Sequence, residues 1–175
     1  MALRVGDYVK QTRHPEWGMG RVVSIGDGEK VTIFFLQGGK RILYSSFPDL
    51  ERMDFHHPIL EIAGSANWNR ADRNLYVIEL KPKIFDWEQR FLAANLHWIP
   101  GKQCVYVGMS GLTPEERFRT HLRGEHAAWF VRKYGLRLLP ELYQHFNPLP
   151  YELAKEMEPE LARQLRADGL AVWQN

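Results

Sequence analysis

A single cysteine, Cys104, stands among 175 residues. No intrachain disulfide can form, and no cysteine-based zinc cluster can be built. Apolar runs end after a few residues, far short of the ~20 needed to cross a bilayer. Internal repeats, low-complexity tracts and heptads are missing as well. The start, Met-Ala-Leu-Arg-Val-Gly-Asp, meets a Gly-Asp turn too early for a signal peptide. The expectation is a soluble, cytoplasmic protein with no membrane partner. Net charge is only +2, so the total says little about partners. What is present is ordinary globular material: 45% hydrophobic and 25% charged residues exclude a disordered or collagen-like chain. The length fits one large domain or two small ones.

The charge is unevenly spread. Residues 101–139 hold seven Lys/Arg against three acids, whereas the last 25 residues are net −2. A local basic patch suits a phosphate-bearing partner, although a solvated helix surface has the same composition.

Residues 1–52 read as all-β. Val5-Gly6-Asp7-Tyr8-Val9, Arg21 to Ile25, Val31 to Phe35 and Lys40 to Leu43 are short runs separated by glycine turns. That spacing predicts a small β-barrel of SH3 or Tudor type, plugged by Trp17. Residues 53–72, with His56-His57-Pro58 and Gly64-Ser65-Ala66-Asn67, read as a linker. From residue 73 to 175 the pattern turns α/β (α+β): a three-stranded mixed or antiparallel sheet flanked by helices. Its strands are Leu75 to Leu80, Cys104 to Gly108 and Leu136 to Tyr143. A helix is expected over Asp86 to Leu96. Thr113-Pro114-Glu115-Glu116 is a full capping box for a helix reaching about Leu122. Ala127 to Tyr134 is a further helix, and Pro150 opens a long one ending near Gly169.

Tyr76 and Tyr106 each interrupt an apolar strand, and a buried hydroxyl needs a partner. Arg117 and His121 share one helix face at i, i+4 spacing, where an arginine fork can reach a phosphate. On the last helix, Leu153, Ala154, Met157, Leu161, Ala162 and Leu165 set the apolar direction. Glu158 lies about 55° from it, Glu160 about 105° and Glu156 about 145°. A carboxylate at the edge of a buried face needs a cation, a metal or a donor. Each of these residues is also compatible with an ordinary core or surface role.

Taken in order, Tyr76, the phrase Val105-Tyr106-Val107-Gly108, the capped helix with Arg117 and the late Glu158 resemble the GIY-YIG nuclease domain. The phrases Tyr-Val-Gly-Met-Ser-Gly-Leu-Thr-Pro-Glu-Glu-Arg-Phe, Phe-Val-Arg-Lys-Tyr-Gly and Ala-Val-Trp resemble a compact bacterial branch of that family. The resemblance implies Tyr76 and Tyr106 as the two signature tyrosines, Arg117 as catalytic arginine and His121 as its companion one turn later. It implies Glu158 as ligand of a divalent metal, Mg²⁺ or Mn²⁺, with Glu160 in reserve. His126 would match a further polar position. The chain departs from the pattern in three ways. Asn74 replaces the glycine of the first half, thirty residues separate the two tyrosines, and Pro159 lies beside the metal carboxylate.

The implied activity is hydrolysis of phosphodiester bonds in DNA, branched or damaged forms included, by an endonuclease. Arg119, Arg123, Arg132 and Lys133 are the expected nucleic-acid contacts. The N-terminal barrel is similar to bacterial SH3/Tudor-like modules and is expected to dock nucleic acid or a protein partner, with Lys10, Arg13, Arg21, Lys40 and Arg41 as possible phosphate contacts. The alternatives are a catalytically inactive binding module on the same fold and a purely structural interaction module.

Overall fold

A computed structural model describes residues 3–47, 49–125 and 127–174. The chain divides into two compact units, Met1–Ala71 and Asp72–Asn175, and its class is mixed α/β, as the sequence predicts.

The N-terminal unit is an antiparallel sheet of β1 (Tyr8–Gln11), β2 (Met19–Ile25), β3 (Lys30–Phe35), β4 (Gly39–Tyr44) and β5 (Leu50–Arg52), in the order β4-β3-β2-β1-β5. Among the described residues no pairing joins β4 to β5. Alternation along the strands sends Val9, Val22, Val31, Ile33 and Phe35 into one apolar cluster with Leu3. Gly20 is required on β2, because a Cβ there would come within 2.5 Å of the Phe35 ring. Trp17 packs at the edge of this cluster, stacked on His14 at 4.2 Å, with the Arg41 guanidinium 5.0 Å from its ring.

The segment 53–72 is not a linker. It holds α1 (Pro58–Ser65), which packs on β2 and buries Ile59, Leu60 and Ala63. His57 caps α1, its Nδ1 accepting from Ile59 N–H at 3.3 Å, and Pro58 opens the first turn. An eight-residue helix is too short for its periodicity to stand out against the His and Gly around it. After it, the Trp68 indole donates to Ala63 O at 2.9 Å, which closes the unit.

The second unit is built on β6 (Ala71–Leu80). It continues through α2 (Ile84–Trp87), α3 (Gln89–Ala94), β7 (Cys104–Ser110), α4 (Pro114–Arg123), α5 (Trp129–Tyr134), β8 (Gly135–Leu138), β9 (Leu149–Pro150), α6 (Tyr151–Ala167) and β10 (Ala171–Trp173). The sheet order is β10-β7-β6-β8, with β9 also on β6. The three expected strands are there, joined by two more. β10 lies parallel to β7, with Val172 opposite Val105. A three-residue strand carries too little alternation to be read alone.

Two predicted elements differ in extent. The helix expected over 86–96 is two short helices, broken at Glu88, whose φ of −116° and ψ of 84° are not helical. The strand expected over 136–143 stops at Leu138, because Pro140 has no N–H for a ladder and opens a 3₁₀ turn instead. Pro159 sits inside α6 without ending it. Asn95 anchors the insertion between β6 and β7: its side chain donates to Phe91 O at 2.9 Å and accepts from Val172 N–H at 2.6 Å.

Candidate active site

The register of β6 on β7 creates the site. Tyr76 pairs with Gly108 and Ile78 with Tyr106. Two residues along a strand return to the same face, so the tyrosines are diagonal neighbours, their rings 6.1 Å apart. Gly108 is there for space: a Cβ would lie 2.5 Å from the Tyr76 hydroxyl and 3.0 Å from the Tyr106 ring. Asn147 holds the strand beside Tyr76. Its amide donates to Leu75 O and its carbonyl accepts from Leu75 N–H, both at 2.8 Å, as a neighbouring strand would.

Helix α4 brings the next two groups. Thr113 accepts from Glu116 N–H at 3.2 Å while Glu116 accepts from Thr113 N–H at 3.1 Å, the expected capping box. Two turns of helix from this fixed start carry Arg117 and His121 over the tyrosines. His121 is fully buried. The backbone N–H of Ala128 donates to its Nδ1 at 3.0 Å. That nitrogen is therefore unprotonated, and the proton sits on Nε2. Nε2–H then donates to the Tyr76 oxygen at 3.1 Å. Burial, with the positive charge of Arg117 nearby, holds the His121 pKa down at about 4. The ring is a neutral donor across the physiological range.

His121 thus donates to the Tyr76 oxygen, while the Arg117 guanidinium and the Tyr106 hydroxyl lie near enough to act on it. Each favours the phenolate. Burial still outweighs them, so the Tyr76 pKa is raised. Tyr106 is raised far more, first by burial and then by the charges of Tyr76 and Glu158. Of the pair, Tyr76 is the easier to ionise.

Helix α6 places Glu158, half-buried, within reach of both tyrosines' electrostatics. Burial raises its pKa, and a hydrogen bond from Met109 N–H opposes that rise. Glu160, the reserve ligand, is elsewhere occupied. Arg163 grips it with two bonds of 2.7 and 2.6 Å, and Gln164 donates to it at 2.8 Å. It is the more buried of the two carboxylates, against the order of the helical wheel, because these two side chains of its own helix fold over it. Glu158 is the carboxylate that faces the tyrosines.

The structure therefore brings Tyr76, Tyr106, Arg117, His121 and Glu158 onto one sheet face. His126 lies outside the described residues. Arg119, Arg123 and Arg132 are exposed around α4 and α5. Lys133 is exposed but engaged, with Glu88 at 3.0 Å and the Trp129 ring at 4.6 Å. At the mouth, Arg73 lies 5.4 Å from the Tyr151 ring, and Asn74 donates to Leu112 O at 3.2 Å. Neither Asn147 nor Arg73 carries a local sequence signal. Asn147 acts across 72 residues, and Arg73 reads as a solvated strand end.

Among the described residues no three His, Cys, Asp or Glu side chains gather into a metal cage. Glu158 offers one carboxylate beside tyrosine hydroxyls. That all-oxygen donor set fits a hard divalent ion that keeps most of its own waters, as Mg²⁺ does.

The five basic residues of the N-terminal unit expected to touch phosphate are each engaged within the unit. Lys10 pairs with Glu51 at 3.0 Å and Arg13 with Asp49 at 2.7 Å, Arg21 with Glu61, while Lys40 and Arg41 lie over Trp68 and Trp17. No helix of the described residues is long and apolar enough to cross a membrane.

Residues 3–53 match a family described as a protein of unknown function, DUF3553. No curated protein and no solved structure matches the chain.

Proposed function

We propose that the second unit is a metal-dependent endonuclease of the GIY-YIG type, hydrolysing phosphodiester bonds in DNA in the cytoplasm. One observation carries this reading: the buried Tyr76 oxygen accepts from buried His121 and feels the Arg117 guanidinium, Tyr106 and the Glu158 carboxylate together on one sheet face. Ordinary packing needs one partner for a buried hydroxyl, not a guanidinium and a carboxylate besides.

Tyr76, as phenolate, takes a proton from the attacking water. The water oxygen bonds to phosphorus, the bond to the leaving oxygen breaks, and that oxygen is protonated as it departs. Arg117 offsets the charge developing on the phosphoryl oxygens, usually one of the largest contributions. Tyr106 keeps its proton and orients Tyr76, and neutral His121 holds the phenolate oxygen in place. Glu158 would hold Mg²⁺ or Mn²⁺, which when bound supplies Lewis acidity at the phosphate. Arg119, Arg123 and Arg132 would meet the DNA backbone. The N-terminal unit docks a partner. Its engaged cations, together with exposed Ile42 and Tyr44 on the edge strand β4, favour a protein over a nucleic acid.

The test is cleavage of labelled single-stranded, duplex and branched DNA with Mg²⁺, Mn²⁺ or a chelator. The parent chain runs beside Glu158→Gln, with folding followed by circular dichroism. Metal-dependent cutting lost in the folded variant supports the nuclease. Binding with no cutting on any substrate favours the second reading, a docking platform, which the raised Tyr76 pKa also fits.

A further inference from the structure

Between β6 and β7 the chain inserts α2 and α3, and this insertion has an unusual surface. Trp87, the last residue of α2, is 74% exposed, while Ile84 and Phe91 on either side are fully buried. It lines a cleft of about 340 Å³ together with Lys83, Lys133 and Tyr134. Two acids flank it in the chain, Asp86 and Glu88. Glu88 accepts from Lys133 at 3.0 Å and from the Tyr134 hydroxyl at 2.6 Å, and Arg90 also lies in its field. Three cations, Lys83, Arg90 and Lys133, against two acids leave the neighbourhood of the cleft net positive by one, with an indole face open to solvent.

An open aromatic face flanked by cations is the arrangement that holds an unpaired nucleotide, the base stacked on the ring and the phosphate on the ammonium groups. An acidic peptide would use the lysines but leave the indole idle. The cleft also has a place relative to the tyrosines. Lys81 N–H donates to Tyr134 O at 2.8 Å, and Lys81 lies five residues beyond Tyr76 on or just past the same strand. At about 3.3 Å per residue that is roughly 17 Å, or about five stacked nucleotide steps at 3.4 Å per step.

We propose that the Lys83–Trp87–Lys133–Tyr134 cleft binds an unpaired nucleotide of the substrate strand, so that the preferred substrate is a duplex carrying a single-stranded flank. The strand's path rests on the nuclease reading; the cleft's chemistry does not.

The experiment uses the full chain carrying Glu158→Gln, so that binding is read without cutting. Fluorescence anisotropy follows a labelled twelve-nucleotide oligothymidylate, a blunt duplex and a polyglutamate peptide (about the same length) as competitor. Adding Trp87→Ala should weaken oligothymidylate binding about tenfold or more and leave the duplex unchanged. Trp87→Phe should restore most of the loss. Lys83→Ala should flatten the salt dependence by about one phosphate contact. Trp87 is exposed, so these chains fold. Unchanged single-strand binding in Trp87→Ala and Lys83→Ala overturns the inference. So does no binding by the parent, or Trp87-dependent capture of polyglutamate in preference to the oligonucleotide. A wild-type chain that never cuts but binds through Trp87 sinks the nuclease reading alone; one that cuts and ignores Trp87→Ala sinks this inference alone.

Discussion

The two sheets of this chain treat their polar residues in opposite ways. In the N-terminal unit Leu3, Val9, Val22, Val31, Ile33 and Phe35 form an apolar cluster, its buried polar residue is the uncharged Gln11, and Lys10 and Arg13 pair with acids at the surface. In the second unit two tyrosines and a histidine occupy the interior, with an arginine and a half-buried glutamate brought against them. Burying such groups costs free energy that apolar side chains of the same volume would not cost. A fold carries that cost where a site requires it. On the proposed reading, the chemistry belongs to the second unit.

The largest effect should come from emptying the apolar cluster. Ile33→Ala removes buried methyl groups and leaves a cavity, so urea titration should show about 2–5 kcal/mol of lost stability. A loss below 1 kcal/mol would mean that the cluster does not hold the sheet. Next, Arg117→Ala should lower cleavage about 10²–10³-fold. Its thermal midpoint should move little, because Arg117 is only half-buried. Equal losses of rate and stability would make it a packing residue.

His121 gives the second unit a pH signature. Its folded pKa is lowered from 6.5 to about 4. Above pH 6.5 neither state binds the proton and the contribution is whole. As pH falls toward 4 the unfolded chain takes up the proton first, and roughly 3 kcal/mol is lost. Glu158, raised by burial, acts in the opposite sense as pH rises through its folded value. The His121 share is therefore read as the difference from His121→Gln, whose drop over pH 6.5–4 should be shallower; identical drops would refute it. The smallest effect belongs to the surface pairs. Lys10→Ala, breaking an exposed pair with Glu51, should change stability by less than about 1 kcal/mol.

How much of this was legible in the sequence depended on range. The capping box at Thr113 and Glu116 is local, so α4 and the shared face of Arg117 and His121 could be read directly. The β6 and β7 tyrosines stood out because each broke an apolar run. What escaped were long-range or short features. Asn147 acts as a surrogate strand on Leu75. Ala128 N–H fixes the His121 tautomer through a loop. The deeper burial of Glu160 comes only through the side chains of Arg163 and Gln164 folding over it. The helix α1 was hidden by its eight residues, and the break at Glu88 by an otherwise continuous pattern.

The most direct test of the claim that Tyr76 is a working base is Tyr76→Phe, which keeps the ring and deletes the oxygen that accepts from His121. Cleavage rates would be measured from pH 6 to 9 on the wild-type and variant chains, with thermal midpoints alongside. Because the Tyr76 pKa is raised from an ordinary value of 10, the phenolate fraction grows tenfold per pH unit across this range. The wild-type logarithmic rate should climb with a slope of about one. The folded variant should lose at least about a hundredfold in rate, and the slope with it. A Tyr76→Phe chain that cuts as fast as wild type, with the same pH profile, would contradict the account.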